Sequence, residues 1–440
     1  DSTRGDRLAR QEIRRMIRIV NTLAAVLVAV GSMLVLTQTA SAQDSKKRSS
    51  ETVSPRAVRS QSFVMHTDLS DDDADELLKR LEKMLKIISK YWGRPNRQTI
   101  EMYVVKDLKN WNGLAFDPDG LRSVRSGGGL TKFRKVSQGR QFFAKAVVYA
   151  IADRGTPQHE AVHAYCYQTF GTSGPVWYSE GMAEMGQYWV ENDASVNCPR
   201  FVARYIHSVE PRPLSEIVNR PRETTGDSWQ NYAWRWALCH LLATNPNYSQ
   251  RFRPLGIGIL TGQKTSFQKV YGSMSKEIAF EYEFFLKHFD PGYRADLCAW
   301  DWKARYRVAR STGTPVLSNI TAHGGWQASR CIVKKGQEYD FLATGEWQID
   351  EKSSLVDADG HADGRGKLVG AVFDDGKYVL SKPFELGASG KWTAPADGQL
   401  VLRCQQPWTE ITDEDAGKIS FKIKVAGAGK PFEKPEADSK

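Results

Sequence analysis

The hydrophobic positions of the first third of the chain follow two periodicities in turn. Over residues 74–88 the apolar residues recur at steps of three and four, which predicts an amphipathic helix. Ser70 offers a cap at the start of this helix, and Gly93 ends it. Short apolar or alternating runs predict strands over residues 62–66, 99–105 and 146–151.

The pattern changes twice further along the chain. Residues 157–290 are predominantly helical, with helix candidates over residues 159–170, 180–190, 232–243 and 277–288. Beyond residue 312, short apolar runs alternate with Gly and Asp turns. In the last run, Ile419, Phe421, Ile423 and Val425 face one side, and Ser420, Lys422 and Lys424 face the other. These patterns predict an α+β protein whose C-terminal part is an all-β sandwich.

The first 42 residues have the order of a secretory signal peptide. Basic residues flank Met16, an uncharged run follows over residues 23–36, and Ala40-Ser41-Ala42 supplies a cleavage pattern. The alternative is a membrane anchor, but the run is shorter than the ~20 residues that a spanning helix needs. We therefore expect export without a stable membrane span. The predicted domains are a signal peptide at 1–42, a flexible linker at 43–61, a first domain at 62–310, a sandwich at 311–426 and a disordered tail at 427–440.

Composition excludes some classes of function. The 440 residues carry a net charge of +10, but the basic residues are spread along the chain rather than clustered, so we expect no nucleic-acid partner. Six cysteines in an exported chain allow up to three disulfides, and Cys331 and Cys404 are a candidate pair because both lie in the predicted sandwich.

The central motif is His159-Glu160-Ala161-Val162-His163. On a helix, residues four apart project from one face, so both imidazoles can bind one Zn²⁺ ion. Glu160 lies to the side, where it can reach a water beside the metal. The alternative is a surface helix with two unrelated histidines.

A second motif favours the metal site. Glu180 follows His163 by 17 residues, after a break at Gly174 and Pro175, so a second helix can fold back and offer a carboxylate as third ligand. Glu184 lies one turn later and can hydrogen-bond a ligand imidazole from outside. The alternative is a pair of exposed helix carboxylates.

The segment from His159 to Glu184 resembles the gluzincin clan of metallopeptidases, especially bacterial peptidase MA-like domains of uncharacterised function. The resemblance rests on the two-histidine helix and the Trp177-x-x-Glu180-Gly181-x-Ala183-Glu184 helix, and it spans roughly residues 62–292. It implies that His159, His163 and Glu180 bind one zinc ion, that Glu160 is the general base and that Glu184 supports a ligand from outside. Family members often steady the oxyanion with a Tyr or His; Tyr232 is our candidate, and a core aromatic is the alternative.

The function that these residues indicate is hydrolysis of a peptide or protein substrate by a zinc-bound water. The main alternative is a cell-surface or carbohydrate-binding protein whose zinc site is structural or inactive. A third hypothesis is zinc-dependent hydrolysis of a non-peptide amide, such as one in a cell wall.

The C-terminal part, over residues 318–425, is similar to a small calcium-dependent galactose-binding lectin of the jelly-roll type. The similarity rests on Gly325-Trp326, Gly345-Glu346-Trp347 and the closing strand. It implies a glycan or cell-surface ligand and a calcium ion. However, residues 412–417 lack the paired amides of that family, and Gln405-Gln406 stand where an acidic ligand is expected. A second acidic loop, over residues 357–363, has oxygen ligands at spacings that calcium uses, and ordinary turns are the alternative.

Overall fold

A five-stranded sheet begins the described part of the chain. The computed structural model describes residues 54–111, 116–138, 141–219, 228–349, 353–413 and 417–432. The strands of this sheet are Arg56–Arg59 (β1), Phe63–Thr67 (β2), Ile100–Val105 (β3), Gly129–Gln138 (β4) and Gln141–Ile151 (β5). They have the order β1-β2-β3-β5-β4; β2, β3 and β5 run parallel, and β1 and β4 pair antiparallel at the two edges.

Ten α-helices are present among the described residues, and most of them follow the sheet. Their bounds are Asp71–Trp92 (α1), Pro118–Arg125 (α2), Thr156–Phe170 (α3), Val176–Gln187 (α4), Arg200–Ser208 (α5), Leu214–Asn219 (α6), Trp229–Thr244 (α7), Ser249–Leu260 (α8), Phe267–Tyr271 (α9) and Ser275–Lys287 (α10). Helix α3 lies against β5 and α4, and α4 packs on α7. One apolar core, which includes Phe63, Leu81, Tyr165 and Trp236, joins the helices to the sheet.

Two further sheets form the C-terminal part. Their strands are Arg307–Val308 (β6), Val316–Thr321 (β7), Gln327–Val333 (β8), Glu338–Trp347 (β9), Leu368–Asp374 (β10), Val379–Leu380 (β11), Phe384–Glu385 (β12), Ser389–Thr393 (β13), Gly398–Cys404 (β14) and Gly417–Val425 (β15). Six of them have the order β11-β10-β14-β8-β6 with β12 beside β10, and four have the order β13-β9-β15-β7. Side chains of both sheets, such as Leu400 and Phe421, share one core.

Aromatic packing continues from the helices to the C-terminal sheets. Phe280 of α10 packs edge-on against Trp300 and contacts Phe373 of β10 at 4.9 Å between ring centroids. The buried carboxylate of Glu281 accepts hydrogen bonds from Tyr248 Oη at 2.7 Å and Trp302 Nε1 at 2.6 Å. The described residues accordingly belong to one compact unit. The boundary predicted between residues 310 and 311 stays a prediction.

The structure is a mixed α and β protein with several sheets, in agreement with the predicted α+β class. The predicted helix over residues 74–88 is confirmed within α1, where Ser70 Oγ accepts a hydrogen bond from the backbone of Asp73. The predicted strands over residues 62–66 and 99–105 correspond to β2 and β3, and the four helix candidates lie within or close to α3, α4, α7 and α10.

The predicted linker over residues 43–61 differs from the structure at its end. Residues Arg56–Arg59 form β1, because their backbone groups pair with the edge of β2. Residues 43–53 lie outside the described part, as do the predicted signal peptide and residues 433–440. Residues 427–432 of the predicted tail are described, and Gly429 packs against Gly313.

Lys424, on the polar face of the closing strand β15, is buried, whereas Lys422 on the same face is half-buried. The Nζ of Lys424 donates a hydrogen bond to the carbonyl of Lys430 and lies 4.7 Å from the Phe432 ring centroid. The chain that follows the strand thus covers this side chain.

The six cysteines are buried and unpaired in the structure, so none of the disulfides that their number allows is formed. The candidate pair fails on geometry: Ile332 lies opposite Gln399, so Cys331 lies close to Leu400, four residues before Cys404 on β14. At about 3.3 Å per strand residue the two cysteines are roughly 13 Å apart, beyond the ~7 Å limit for a disulfide. Among the described residues, no helix is long and apolar enough to span a membrane.

Candidate metal centre

Helix α3 carries both motif histidines on a buried face. The side chain of Asp153 accepts hydrogen bonds from the backbone amides of Gly155 and Thr156 and so satisfies the first turn. His159 and His163 are 6% and 8% exposed. This burial argues against the alternative of a surface helix with unrelated histidines.

Helix α4 brings the third candidate ligand to the same place. A Cβ at Gly186 would lie 2.6 Å from Val162 of α3, so glycine is what allows the two helices to approach this closely. Glu180 and Glu184 both project toward the histidines, and Glu184 is only 3% exposed. They are therefore not the exposed pair of the alternative interpretation.

Three candidate ligand atoms form a small triangle. His159 Nε2 and His163 Nε2 are 3.2 Å apart, and each lies 3.4 Å from Glu180 Oε2. In a tetrahedral zinc site with bonds of about 2.0–2.2 Å, neighbouring ligand atoms are about 3.3–3.6 Å apart. The donor set and its spacing fit zinc, and these three residues are the group with metal-binding geometry found among the described residues.

Each ligand ring has a polar neighbour on its outer side. His159 Nδ1 lies 3.1 Å from Glu184 Oε1, which is within ion-pair distance, but the angle does not suit a hydrogen bond. His163 Nδ1 lies 3.4 Å from Ser179 Oγ. A proton held on each Nδ1 leaves the Nε2 lone pair free for a metal. The sequence pointed to Glu184 as a neighbour of a ligand imidazole but missed Ser179.

The electrostatics of the cluster favour positive charge at its centre. Burial alone would lower the pKa of His159, but the carboxylates of Glu180 and Glu184 raise it well above its usual value. Burial would raise the pKa of Glu180, but His163 and His159 hold it well below its usual range. A buried cluster of this kind is stabilised by a proton or a metal cation among its lone pairs.

Glu160 points to the other wall of the site, where β4 holds it. Thr131 Oγ1 lies 2.7 Å from Glu160 Oε2 and 2.9 Å from its backbone carbonyl. A Cβ at Gly129 would lie 2.7 Å from Glu160 Cγ, so glycine leaves the room that the carboxylate occupies. Sequence reasoning missed both residues, because β4 lies about 30 residues before the motif.

The cluster opens into a cavity of about 410 Å³. Tyr232 of α7 lines it, half-buried, with its ring stacked on His159 at 5.9 Å between centroids. The neighbouring Trp234 and Trp236 are the core residues, each 1% exposed. The structure therefore places Tyr232 beside the candidate ligands rather than in the core.

The acidic loop over residues 357–363 has a different geometry. Its carboxylates are exposed, and they accept backbone hydrogen bonds: Asp357 from Asp359, Asp363 from Arg365, and Asp359 from Ala388 at 2.8 Å. The first two are the contacts of ordinary turns, and the third ties the loop to the chain before β13. The other acidic stretch, over residues 412–417, has residues 414–416 outside the described part.

Comparisons with known proteins add little. No family model and no curated protein matches the chain. The EclA N-terminal domain, described as a PllA-like lectin, is similar over 25% of this chain and 94% of its own, at 19% identity and a TM-score of 0.20. The structure of IMPa from Pseudomonas aeruginosa in complex with an O-glycopeptide is similar over 58% of this chain and 30% of its own, at 14% identity and a TM-score of 0.16. At these TM-scores neither similarity carries an argument.

Proposed function

We propose that this protein is a zinc-dependent peptidase that hydrolyses peptide bonds, with the metal held by His159, His163 and Glu180. The observation that supports it most is the triangle of ligand atoms with edges of 3.2, 3.4 and 3.4 Å, which fits a tetrahedral zinc ion and leaves one position for water or substrate.

The residues around this triangle have the chemistry that amide hydrolysis needs. When bound, zinc supplies a polarised water and a positive charge beside the substrate carbonyl. Glu160 accepts a proton from the attacking water and returns it to the leaving amine. Thr131 holds the carboxylate of Glu160 in place, and Tyr232, which lines the cavity, is the candidate donor to the developing oxyanion.

The edge of the sheet offers a way to bind an extended substrate. Strand β4 is the last strand of its sheet, and its outer edge has no strand partner among the described residues. Gly129, Leu130 and Thr131 of this strand line the cavity. A peptide that pairs with this edge would pass directly over the candidate ligands.

The finer fold and the location belong to the same proposal. We infer a gluzincin-type arrangement for the region with the metal centre, and a lectin-like jelly roll with a glycan or cell-surface ligand for the C-terminal sheets. Export follows from the signal-peptide pattern of residues 1–42, and N-terminal sequencing of the mature protein tests it: a mature chain that retains residues 1–42 would contradict export.

The alternative is a cell-surface or carbohydrate-binding protein with a structural or inactive zinc site. The names of the two solved structures, a lectin and a complex with an O-glycopeptide, agree better with this alternative than with a peptidase, but their TM-scores are too low to argue from. Glu160 separates the two hypotheses, because a structural site does not need a carboxylate held beside its ligands.

The decisive experiment compares the wild type with Glu160→Gln. We expect both proteins to contain one zinc ion, and we expect the variant to cleave a peptide library about 10²–10⁴ times more slowly, because general-base catalysis contributes on that order. Equal cleavage by the two proteins would contradict the role of Glu160. Zinc in both proteins with cleavage by neither would favour the alternative.

A further inference from the structure

A second cavity, of about 480 Å³, lies between the end of α10 and the outer face of the six-stranded sheet. It has no lining residue in common with the cavity of the candidate metal centre. Its size is within the ~300–1,000 Å³ that small-molecule sites occupy. We call it the Arg403 cavity, after the buried cation in its wall.

Arg403 is 5% exposed, and its guanidinium has donors to spare. Nε donates to the carbonyl of Cys404 at 3.0 Å, and Nη2 donates to the carbonyl of Gln406. Within the described part of the chain, Nη1 has no acceptor and no carboxylate lies within ion-pair distance of the guanidinium. Burial lowers the pKa of Arg403 to about 10, so the group still carries its charge at neutral pH.

The groups that Arg403 contacts are two backbone carbonyls and an aromatic ring, and a neutral hydrogen-bond donor could also satisfy the carbonyls. The guanidinium carbon lies 3.5 Å from the Trp408 ring centroid, a cation–π contact that offsets part of the cost of burial. The cost that remains is that of a buried cation without a counter-ion. An anion in the cavity would remove that cost.

The other charged groups at the cavity do not supply this anion. Glu385 is the acidic residue in the lining, and its carboxylate is 2.8 Å from Lys367 Nζ, with which it forms an ion pair. Lys287 adds a second positive charge at the rim. His288 stays neutral at pH 7, because burial and the nearby Lys287 and Arg403 lower its pKa to about 4. The cavity is therefore positive.

The remaining walls are mainly apolar. Phe284, Val369, Leu380 and Phe384 face the space. Two of the polar groups are already engaged: Ser381 Oγ bonds the backbone of Val372 and Lys382, and Gln406 Nε2 donates to the carbonyl of Ala322. A sugar with many hydroxyls would leave most of them unpaired here, whereas an apolar body would not.

We propose that the Arg403 cavity binds an organic carboxylate with an apolar body. The carboxylate accepts hydrogen bonds from the free donors of Arg403, and the body packs against Val369, Leu380 and Phe384. Two sources carry this chemistry: a free hydrophobic acid, and the C-terminal residue of a peptide whose last side chain is apolar. The proposal does not depend on the peptidase hypothesis, because the two cavities are separate.

Calorimetry on the full chain tests the proposal with four probes. We expect N-acetyl-leucine to bind, and we expect N-acetyl-leucinamide to bind at least about tenfold more weakly because it lacks the charge that Arg403 recognises. The peptide Gly-Gly-Leu binds as well as N-acetyl-leucine if the source is a chain terminus and more weakly if it is a free acid. Binding of the amide as tight as the acid, or tighter binding of glucuronate than of N-acetyl-leucine, would overturn the proposal.

Two variants test the charge and the space of the Arg403 cavity separately. Arg403→Gln removes the charge, and Leu380→Trp fills the space while Arg403 stays in place; each should reduce binding of N-acetyl-leucine at least tenfold. Arg310→Gln is the matched control, since Arg310 is exposed and does not line the cavity. Thermal unfolding checks that each variant is folded. Unchanged binding by a folded Arg403→Gln variant, or by a folded Leu380→Trp variant, would contradict the proposal. Glu160→Gln should bind as the wild type does.

Discussion

Two regions of this chain carry candidate ligands at spacings that a metal ion can use, and they differ in how those groups are used. Between α3 and α4, two ring nitrogens and a carboxylate oxygen converge within 3.4 Å of one another, and their side chains are largely buried. In the loop over residues 357–363, the carboxylates are exposed and accept hydrogen bonds from the backbone.

The difference lies in the hydrogen bonds that the candidate ligand atoms already make. Asp is common in turns because its carboxylate accepts a hydrogen bond from an amide two residues later, and an oxygen bonded in this way binds a cation less well. On a helix the backbone amides already donate to backbone carbonyls. The side chains of His159, His163 and Glu180 therefore find no free backbone amide close to them in the chain. Spacing along the sequence does not distinguish these cases. The local backbone does.

The largest effect expected is on zinc binding after loss of a ligand. His163→Ala removes one corner of the triangle and should weaken zinc binding by more than the ~10–100-fold that loss of an outer hydrogen-bond partner costs. Zinc content and competition with a chelator measure it. His361→Ala, in the acidic loop, is the control and should bind zinc as the wild type does. Equal affinity of the two variants would remove the distinction between the regions.

A smaller effect on zinc is expected from the outer partner. Glu184→Gln leaves the three ligands in place but removes the charge beside His159 Nδ1. We expect zinc affinity to fall about 10–100-fold, with one ion still bound at high zinc concentration. Ser179→Ala, which removes a longer contact of 3.4 Å to His163, should cost less. A larger loss of zinc affinity for Ser179→Ala than for Glu184→Gln would show that Ser179 is the more important outer partner.

A substitution of Thr131 should lower the catalytic rate without changing zinc binding. Thr131→Val keeps the shape and removes the hydroxyl that bonds Glu160. A hydrogen bond to a charged group is worth about 1.5–3 kcal/mol, so we expect kcat to fall roughly 10–100-fold while zinc content is unchanged. Thr321→Val, the same change in β7, should leave kcat unchanged. Loss of zinc from the Thr131 variant would indicate a structural role instead.

The smallest effect concerns the acidic loop. Asp359→Ala removes a hydrogen bond to Ala388, 29 residues away, and should lower the free energy of unfolding by about 1 kcal/mol. Asp363→Ala removes only a local bond to Arg365 and should cost less. Urea unfolding measures both. A loss of bound calcium from either variant would show that the loop does hold an ion.

The sequence predicted best those features whose cause is local. Helix α1 has its cap, its apolar stripe and its terminating glycine within one continuous segment. The candidate ligands were also predictable, because His159 and His163 are one helical turn apart and Glu180 lies on the next helix. In each case the signal and the structure share a short stretch of chain.

Features with a distant cause were missed. Thr131 meets Glu160 only because β4 folds back as an edge strand beside α3. Strand β1 has no apolar pattern of its own and forms by pairing with the edge of β2. Strand alternation puts Lys424 on the polar face of β15, but the chain after β15 returns and covers it. No pattern within these segments indicates such contacts.

The burial of all six thiols determines how the protein responds to oxidants, alkylating reagents and reductants. Burial raises the pKa values of all six, to about 12 for Cys198, Cys298, Cys331 and Cys404, so thiolates are scarce at neutral pH and reaction with oxidants or alkylating reagents is slow. The fold contains no cross-link that a reductant could break. Dithiothreitol should therefore leave the unfolding temperature of the zinc-free protein unchanged.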